Sequence, residues 1–200
     1  VDLLDRPTEI NIWRAPTDND RGAQVDWRRA HYDRAYARAY SCTARTVEDA
    51  VVVEAEIAVV APTVQPILRA GIRWTVRGDG ALDLVLSARR DPEFPALPRL
   101  GLRLFLPQEM NRIRYFGLGP QEAYADKHRA CRHGLFEADV DELLVDYLRP
   151  QENGSHADCD LVAVTGPHAE LTVAGASPFS FNASRYTPYA STCSPSTTAT

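Results

Sequence analysis

The sequence has 200 residues, 44% of them hydrophobic and 24% charged, and its 22 basic and 27 acidic side chains give a formal net charge of −5 at pH 7. This composition is typical of a globular protein with a sizeable core, and it excludes intrinsic disorder, collagen and small disulfide-rich scaffolds. The acidic balance argues against nucleic acid as a partner, because binding to phosphates requires a basic surface.

The first predicted element covers residues 26–40, where alanine and arginine favour a helix and Tyr32, Tyr36 and Tyr40 recur every fourth residue. The same tyrosines also fit the period of two that a strand requires. Two interpretations therefore remain open: one long helix, or a short helix from Trp27 that is followed by a strand towards Cys42.

Short strand-like runs fill most of the remaining chain. Apolar and polar residues alternate over 67–77, and the Gly-Asp-Gly turn at 78–80 then predicts a hairpin with the alternating leucines that begin at Leu82. Residues 137–148 mix acids with leucines and are expected to form a loop or a short helical turn. Further strands are predicted at 51–60, 100–106, 113–116, 161–164, 171–174 and 179–181.

Proline and glycine separate these runs, which is typical of an all-β sandwich or barrel. We expect one domain over residues 1–190. The last ten residues, 191–200, are rich in serine and threonine and are expected to be an unstructured or foreign tail.

The first dense polar motif is WRAPTDND at 13–20. Its aspartates begin like a calcium loop, but no glutamate closes the loop, so the signal for a metal is weak. An aromatic face beside arginine, asparagine and aspartate is typical of a sugar site. The alternative is an Asx-rich turn that bonds its own backbone, with the tryptophan in the core. The candidate substrate-binding residues here are Trp13, Arg14, Asp18, Asn19 and Asp20.

The second motif covers residues 116–128. Its Gly-x-Gly start lacks a third glycine and is followed by Pro120, which excludes a dinucleotide cradle. Glu122 and Asp126 could form an acid–base pair of the kind that glycosidases use, although spacing in the sequence sets no distance between them. With Tyr124 they are candidate substrate-binding residues. The alternative is that the two carboxylates pair with basic neighbours, namely Lys127, Arg129 or Arg132.

The third motif, at 149–156, contains the turn signal Asn153-Gly154. Glu152 and His156 could serve acid–base chemistry, or the segment could be an exposed turn. The histidines are scattered, and no nucleophile elbow of the Gly-x-Ser-x-Gly type occurs.

The dispersed cysteines, Cys42, Cys131, Cys159 and Cys193, include no Cys-x-x-Cys pair and have no histidine at ligand spacing. They predict reduced, mostly buried thiols and no metal site, with two disulfides as the alternative. The apolar stretches are only strand-sized and the N-terminus does not have a signal-peptide pattern. We therefore expect no membrane association and a cytoplasmic location.

Four motifs, WRAPTDND (13–20), FGLGPQEAYAD (116–126), PQENG (150–154) and FNASRY (181–186), occur in order. Together they resemble the C-terminal small-chain domain of the family-2 glycoside hydrolase β-galactosidases. The resemblance reaches to about Tyr189 and implies a galactose mutarotase-like β-supersandwich that is incomplete at its C-terminal end. Lys127 stands where that family generally has arginine.

The resemblance implies a role as well as a fold. In that family the two catalytic glutamates lie on a separate TIM barrel, so the chain is expected to be inactive alone. It would pack on that barrel and help to shape the pocket for β-galactosides such as lactose. The resemblance places Mg²⁺ and Na⁺ elsewhere in the parent enzyme and implies a homo-oligomer. A stand-alone mutarotase-like enzyme or a carbohydrate-binding module is the alternative.

Overall fold

The structure is a computed structural model that describes residues 3–62, 65–149 and 151–186. The described residues form ten strands, one α-helix and three short 3₁₀ helices. The strands are β1 (Arg6–Asn11), β2 (Tyr36–Val47), β3 (Ala50–Val60), β4 (Leu68–Arg77), β5 (Leu82–Arg90), β6 (Gly101–Phe105), β7 (Arg112–Gly119), β8 (Arg132–Asp139), β9 (Ser155–Thr165) and β10 (Glu170–Asn182). The α-helix is α1 (Ala23–Arg29), and the 3₁₀ helices are Asp18–Asp20, Tyr32–Arg34 and Val140–Leu143.

The chain divides into two compact units. The amino-terminal unit comprises Thr8–Arg14 and Asn19–Arg103. Among the described residues, the carboxy-terminal unit comprises 3–7, Ala15–Asp18, 104–149 and 151–186.

The amino-terminal unit contains an antiparallel sheet of order β2-β3-β4-β5. The β2–β3 and β4–β5 connections are short, and in the β4–β5 hairpin Val76 pairs with Leu82. Tyr32 is fully buried, and its hydroxyl donates to the carbonyl oxygen of Pro95 at 2.6 Å. The core of this unit includes Ile12, Trp13, Trp27, Tyr32, Val59, Ile67 and Leu68.

The carboxy-terminal unit contains an antiparallel sheet of order β10-β9-β7-β8. Burial alternates along the central strand β7, with Ile113 and Tyr115 inside and Arg114 and Phe116 outside. The Tyr115 ring contacts the ring of Phe136 at a centroid distance of 5.4 Å. Two loops of the candidate site extend from this sheet. One follows the end of β7 at Gly119, and the other precedes the start of β9 at Ser155. The two remaining strands, β1 and β6, pair with each other.

The all-β prediction is confirmed, as is the β4–β5 hairpin. Over residues 26–40, the short helix followed by a strand is the alternative that the chain adopts, since Tyr36 begins β2. The prediction of a loop or short helical turn over 137–148 was incomplete. The residues up to Asp139 belong to strand β8, and the 3₁₀ helix Val140–Leu143 follows. The separate runs at 171–174 and 179–181 form one strand, β10, which is interrupted by register shifts.

Of the described cysteines, only Cys159 is buried, whereas Cys42 is exposed and Cys131 is partly exposed. The expectation of mostly buried thiols was therefore wrong, because β2 lies with its side chains open to solvent. All three thiols are free. Cys193, the domain boundary at 190 and the tail at 191–200 lie outside the described residues. Within those residues no helix has the length and apolar character needed to cross a membrane.

Candidate functional site

A buried carboxylate forms the centre of the candidate site. Glu122 follows β7 and the cis peptide bond between Gly119 and Pro120. Its Oε1 accepts hydrogen bonds from Nζ of Lys127 at 2.5 Å and from the hydroxyl of Tyr147. Its Oε2 accepts from the backbone N–H of Gly154 at 2.9 Å. Both carboxylate oxygens of Glu122 are thus occupied by donors.

These donors keep Glu122 ionised although it is buried. Burial raises the pKa of the carboxyl, but hydrogen bonds from Lys127, Tyr147 and Gly154 outweigh burial and lower the pKa below its ordinary value. The same contacts, chiefly the hydrogen bond to Glu122, raise the pKa of Lys127. A general acid requires a raised pKa, so this carboxylate is unsuited to that role.

The third motif supplies part of the network. Gly154 has φ of +68°, and a Cβ there would lie 2.5 Å from the carbonyl oxygen of Leu143, so only glycine fits. Beside it, Oδ1 of Asn153 accepts from the backbone N–H of Val145 at 3.3 Å. The Asn153-Gly154 pair therefore joins loop segments at the entrance to β9.

His156 lies inside the carboxy-terminal unit and not on an exposed turn. Its ring is 1% exposed, lies 4.5 Å from the Tyr115 ring and stacks on Phe181 at 5.3 Å between centroids. Nδ1 lies 3.2 Å from the carbonyl oxygen of Leu118, which makes Nδ1 the protonated nitrogen. Burial lowers the pKa of His156, so the ring is neutral. Glu152 is buried too, and the exposed-turn alternative was wrong.

A cavity of about 630 Å³ opens beside Glu122. Its walls come from the loop after β7, from the segment around the 3₁₀ helix Val140–Leu143, and from the start of β9. The lining residues are Pro120, Gln121, Glu122, Lys127, His128, Arg129, Ala130, Cys131, Glu142, Leu143, Val145, Tyr147 and His156.

The other two candidates of the second motif differ in exposure. Tyr124 is half-buried, and its enclosed hydroxyl makes no well-formed hydrogen bond among the described residues. Burial, followed by the nearby charge of Glu122, raises the pKa of this hydroxyl. Asp126 is exposed. The alternative in which Glu122 pairs with Lys127 is confirmed.

The first motif forms a separate arrangement. Trp13 is 3% exposed and belongs to the core of the amino-terminal unit, so its ring cannot serve as a stacking surface. Arg14 donates from one guanidinium nitrogen to both oxygens of Asp20, at 2.7 and 3.0 Å. Asp18 and Asn19 are exposed on the 3₁₀ helix Asp18–Asp20. The core-tryptophan alternative is the one observed.

The structure brings Arg14 together with Asp20, and Glu122 together with Lys127. Sequence reasoning missed Tyr147 and the contribution of the Gly154 backbone. The Asn153-Gly154 dipeptide indicated a turn at Gly154, and no pattern in the sequence pointed to Tyr147. Across the described ranges, no group of three or more His, Cys, Asp or Glu side chains could hold a metal ion.

Comparison with known proteins gives consistent matches. The family model described as "Beta galactosidase small chain" matches residues 1–193. A beta-galactosidase of Actinobacillus pleuropneumoniae is 40% identical over 185 residues, which cover 92% of this chain and 18% of that protein. A beta-galactosidase of Staphylococcus xylosus is 34% identical with the same coverage, and one of Lactobacillus delbrueckii subsp. bulgaricus is 34% identical over 78% of this chain and 15% of its own length. The chain thus spans less than a fifth of these relatives.

Proposed function

This chain belongs to the beta galactosidase small chain family, and we propose that it is a non-catalytic part of a larger β-galactosidase that hydrolyses terminal β-galactosides such as lactose. The observations that carry the proposal are the family-model match over residues 1–193 and the similarity to beta-galactosidases of which this chain spans 18%. Because this chain corresponds to only 18% of such a protein, most of the proposed parent enzyme lies outside it.

The chemistry of Glu122 supports the absence of catalysis. Glycosidases pair one carboxylic acid of raised pKa with one carboxylate that acts as base or nucleophile. Glu122 is held ionised, and both of its oxygens accept hydrogen bonds. Its arrangement is that of a structural ion, which fastens three loop segments.

An apolar row on the outer face of the carboxy-terminal sheet supports packing against the rest of the enzyme. Phe116 pairs with Leu135 on one side and with Leu161 on the other. Phe116 is 41% exposed and Leu135 is 62% exposed. Exposed apolar rows of this kind are typical of surfaces that another domain covers.

We assign contacts with the galactoside to the candidate residues of the first motif that reach the surface, namely Asp18 and Asn19. The Arg14–Asp20 ion pair fixes the loop that carries them, and the buried ring of Trp13 supports this loop from the core. In the second motif, Asp126 is the exposed candidate, on a loop that Glu122 and Tyr124 shape.

The remaining implications of the resemblance belong to the parent enzyme. We propose that Mg²⁺ and Na⁺ bind elsewhere in the parent enzyme and that the parent enzyme is a homo-oligomer. The free thiols of Cys42, Cys131 and Cys159 are consistent with the reducing cytoplasm that we propose as its location.

The first experiment incubates the purified 200-residue chain with a chromogenic β-galactoside. We expect no turnover above buffer. The Glu122→Gln variant serves as the matched control. Hydrolysis that copurifies with the chain and is lost in Glu122→Gln would show that the chain is itself a glycosidase, which would overturn the proposal.

The second experiment uses the full-length enzyme that contains this chain. Alanine substitutions at Asp18 and Asn19 should raise KM for the galactoside and leave kcat nearly unchanged, because the catalytic groups lie elsewhere. Asp49→Ala, an exposed carboxylate in the β2–β3 turn, is the control. If KM in the two variants equals that of the control, the assignment of substrate contacts to this loop is wrong.

A further inference from the structure

Three arginines lie in one row across the sheet of the amino-terminal unit. Arg38 of β2 and Arg69 of β4 both pair with Ala58 of β3, one from each side. Arg69 pairs in turn with Arg89 of β5. Residues that pair directly across antiparallel strands project from the same face of the sheet, and all three arginine side chains are exposed. This arginine row (Arg38, Arg69 and Arg89) therefore presents three guanidinium groups to solvent on one face.

The charges of the arginine row are not neutralised within the described part of the chain. None of the three side chains makes an ion pair or a hydrogen bond with a described residue. Arg69 and Arg89 are direct cross-strand partners, and like charges that lie directly opposite each other destabilise a sheet. An anion bound from outside would remove this repulsion.

The acidic residues on the same face do not supply that anion. Glu54 is four residues from Ala58 along β3 and accepts from Arg73 at 2.7 Å, with Arg45 at 3.5 Å. Its carboxylate is thus already paired. Glu56 lies between Glu54 and Ala58 on this face, and it forms no ion pair with the arginine row.

Protection of the sheet edges does not explain the row. Charged side chains on edge strands keep a sheet from pairing with another chain. The edges of this sheet are β2 and β5, whereas β4 is an internal strand. Arg69 therefore protects no edge, although it lies between the other two arginines.

Tyr40 adds an aromatic surface to the row. It lies at the register shift of β2 between Ala39 and Ser41, and its side chain is 55% exposed. The guanidinium carbons of Arg38 and Arg69 lie 5.8 and 5.9 Å from the centroid of its ring. Contact with a ring restrains an arginine side chain and leaves its N–H groups free to donate to carboxylates.

The width of the row favours an extended ligand over a single small anion. Neighbouring strands lie about 4.8 Å apart, so three strand intervals separate the Cα atoms of Arg38 and Arg89 by roughly 14 Å. An extended peptide rises about 3.3 Å per residue, so carboxylates within five consecutive residues can reach the whole row. A lone phosphate would engage only one end of it.

The net charge of the chain disfavours a nucleic acid on this surface. Duplex DNA brings one negative charge for about every 1.7 Å of its length, and the chain carries a net charge of −5. A peptide segment with a few carboxylates brings about as much negative charge as the row can neutralise. Arginine also suits carboxylates, because its planar fork donates two parallel hydrogen bonds to one such group.

We infer that the arginine row binds an extended acidic segment of a partner protein, with each guanidinium donating to one carboxylate and Tyr40 packing against the segment. The row belongs to the amino-terminal unit, whereas the apolar row that supports the accessory role belongs to the carboxy-terminal one. The inference therefore goes beyond the proposed function and does not depend on it.

The test measures the fluorescence anisotropy of a labelled peptide, (Glu-Thr)₄, as the 200-residue chain is added at low salt. We expect saturable binding that weakens as salt is added, and no binding of the neutral peptide (Gln-Thr)₄. Replacement of one arginine of the row by glutamine should weaken binding about threefold, the effect of losing one exposed ion pair. The triple variant Arg38→Gln/Arg69→Gln/Arg89→Gln should weaken it about thirtyfold.

A second triple variant is the matched control for net charge. It replaces three exposed arginines outside the row and should bind (Glu-Thr)₄ within about twofold of the unsubstituted chain. Replacement of the arginine row by three lysines should keep most of the binding, because the charges remain. Circular dichroism verifies that each variant is folded. The control substitutions are Arg28→Gln, Arg129→Gln and Arg132→Gln.

Three results would overturn the inference. The first is the absence of saturable binding of (Glu-Thr)₄, and the second is equal binding by the two glutamine triple variants. The third is tighter binding of a labelled single-stranded DNA of eight nucleotides, lost in the triple variant of the row, which would make the row a nucleic-acid surface. No turnover is measured, so each result is separate from the hydrolysis assay of the accessory role.

Discussion

Nζ of Lys127 lies 2.5 Å from Oε1 of Glu122, and yet 61% of the lysine side chain is exposed and only 4% of the glutamate side chain. The carboxylate has given up its water, whereas most of the lysine side chain stays in contact with solvent. Loss of the lysine therefore leaves a buried charge with fewer partners, while loss of the glutamate leaves a solvated cation.

Replacement of Lys127 by methionine should lower the free energy of unfolding near pH 7. We expect a loss of about 1–2 kcal/mol, less than the ~3–5 kcal/mol of a fully buried pair, because the ammonium is exposed and Tyr147 and Gly154 still donate to Glu122. Urea denaturation followed by circular dichroism measures the change.

The matched control for this substitution is Arg129→Met. Arg129 is a neighbouring exposed base without an ion pair among the described residues, and its loss should alter stability by less than about 0.5 kcal/mol. Lys127→Arg should recover most of the stability. Equal stability of Lys127→Met and Arg129→Met would show that the ion pair contributes nothing.

The network around Glu122 also predicts a pH dependence. Its pKa is lower in the folded chain than the ordinary value of 4.5. The unfolded chain therefore takes up a proton first as the pH falls, so the stabilisation is complete above about pH 4.5 and is lost below it. The free energy of unfolding should decline more steeply below this pH for the unsubstituted chain than for Glu122→Gln.

The effect of Glu122 must be measured as the difference in free energy of unfolding between Glu122→Gln and the unsubstituted chain at each pH. Other carboxyls with lowered pKa values, Glu54, Asp141 and Glu170, titrate in the same direction and are common to both proteins. Asp126→Asn, an exposed carboxylate of the same loop, should retain the steep decline. Parallel curves for Glu122→Gln and the unsubstituted chain would rule out a depressed pKa at this residue.

Local patterns explain which parts of the fold the sequence could predict. The β4–β5 hairpin follows from strand alternation and a Gly-Asp-Gly turn, all within 23 residues of chain from Leu68 to Arg90. Strand β8 lacked such a signal, because its burial alternates only between exposed and partly exposed residues. The exposure of β2, and with it of Cys42, depends on what covers the sheet, and no local pattern encodes that.

The candidate site shows the same limit. Pairing of Glu122 with Lys127 could be anticipated, since the two are five residues apart. Tyr147 and Gly154 lie 25 and 32 residues from Glu122, and they reach it only because β7 and β9 are neighbours in the sheet. Trp13 had two interpretations because an aromatic ring suits a sugar and a core equally well, and burial alone decides between them.

Gly117 should tolerate no side chain. A Cβ at this position would lie 2.3 Å from Sγ and 2.9 Å from Cα of Cys159. We expect Gly117→Ala to lower the free energy of unfolding by about 1–3 kcal/mol, the usual cost of overpacking a core. Thermal unfolding of the variant measures the effect.

The cross-strand neighbour of Gly117 provides the control. Gly134 pairs with Gly117, and its added Cβ would meet only the Phe136 ring, at an ordinary 3.5 Å. Gly134→Ala should therefore be neutral or slightly stabilising. Cys159→Ala in the Gly117→Ala background should recover part of the loss by removing the nearest atom. If both glycine variants unfold at the same temperature, the close approach to Cys159 is not real.

The three described thiols should react at different rates. Burial raises the pKa of Cys159 to about 11, and the thiolate is the reactive form. An alkylating reagent at mildly alkaline pH should modify the exposed Cys42 first and the partly exposed Cys131 next, and it should reach Cys159 only in denaturant. Peptide mass mapping assigns each site. Modification of Cys159 as fast as Cys42 under native conditions would contradict its burial.

Substitutions in the β4–β5 turn can measure the cost of a left-handed backbone without any side-chain clash. Gly80 has φ of +89°, whereas Gly78 does not have a positive φ, and neither position has an atom within 4 Å of an added Cβ. Gly80→Ala should therefore cost about 1–2 kcal/mol through the left-handed backbone alone, and Gly78→Ala should be neutral or stabilising. Gly80→Asn should fall between them, since asparagine adopts positive φ more readily than alanine. Urea denaturation of the three variants checks the order, and equal stability of Gly78→Ala and Gly80→Ala would mean that the turn does not depend on the left-handed conformation at Gly80.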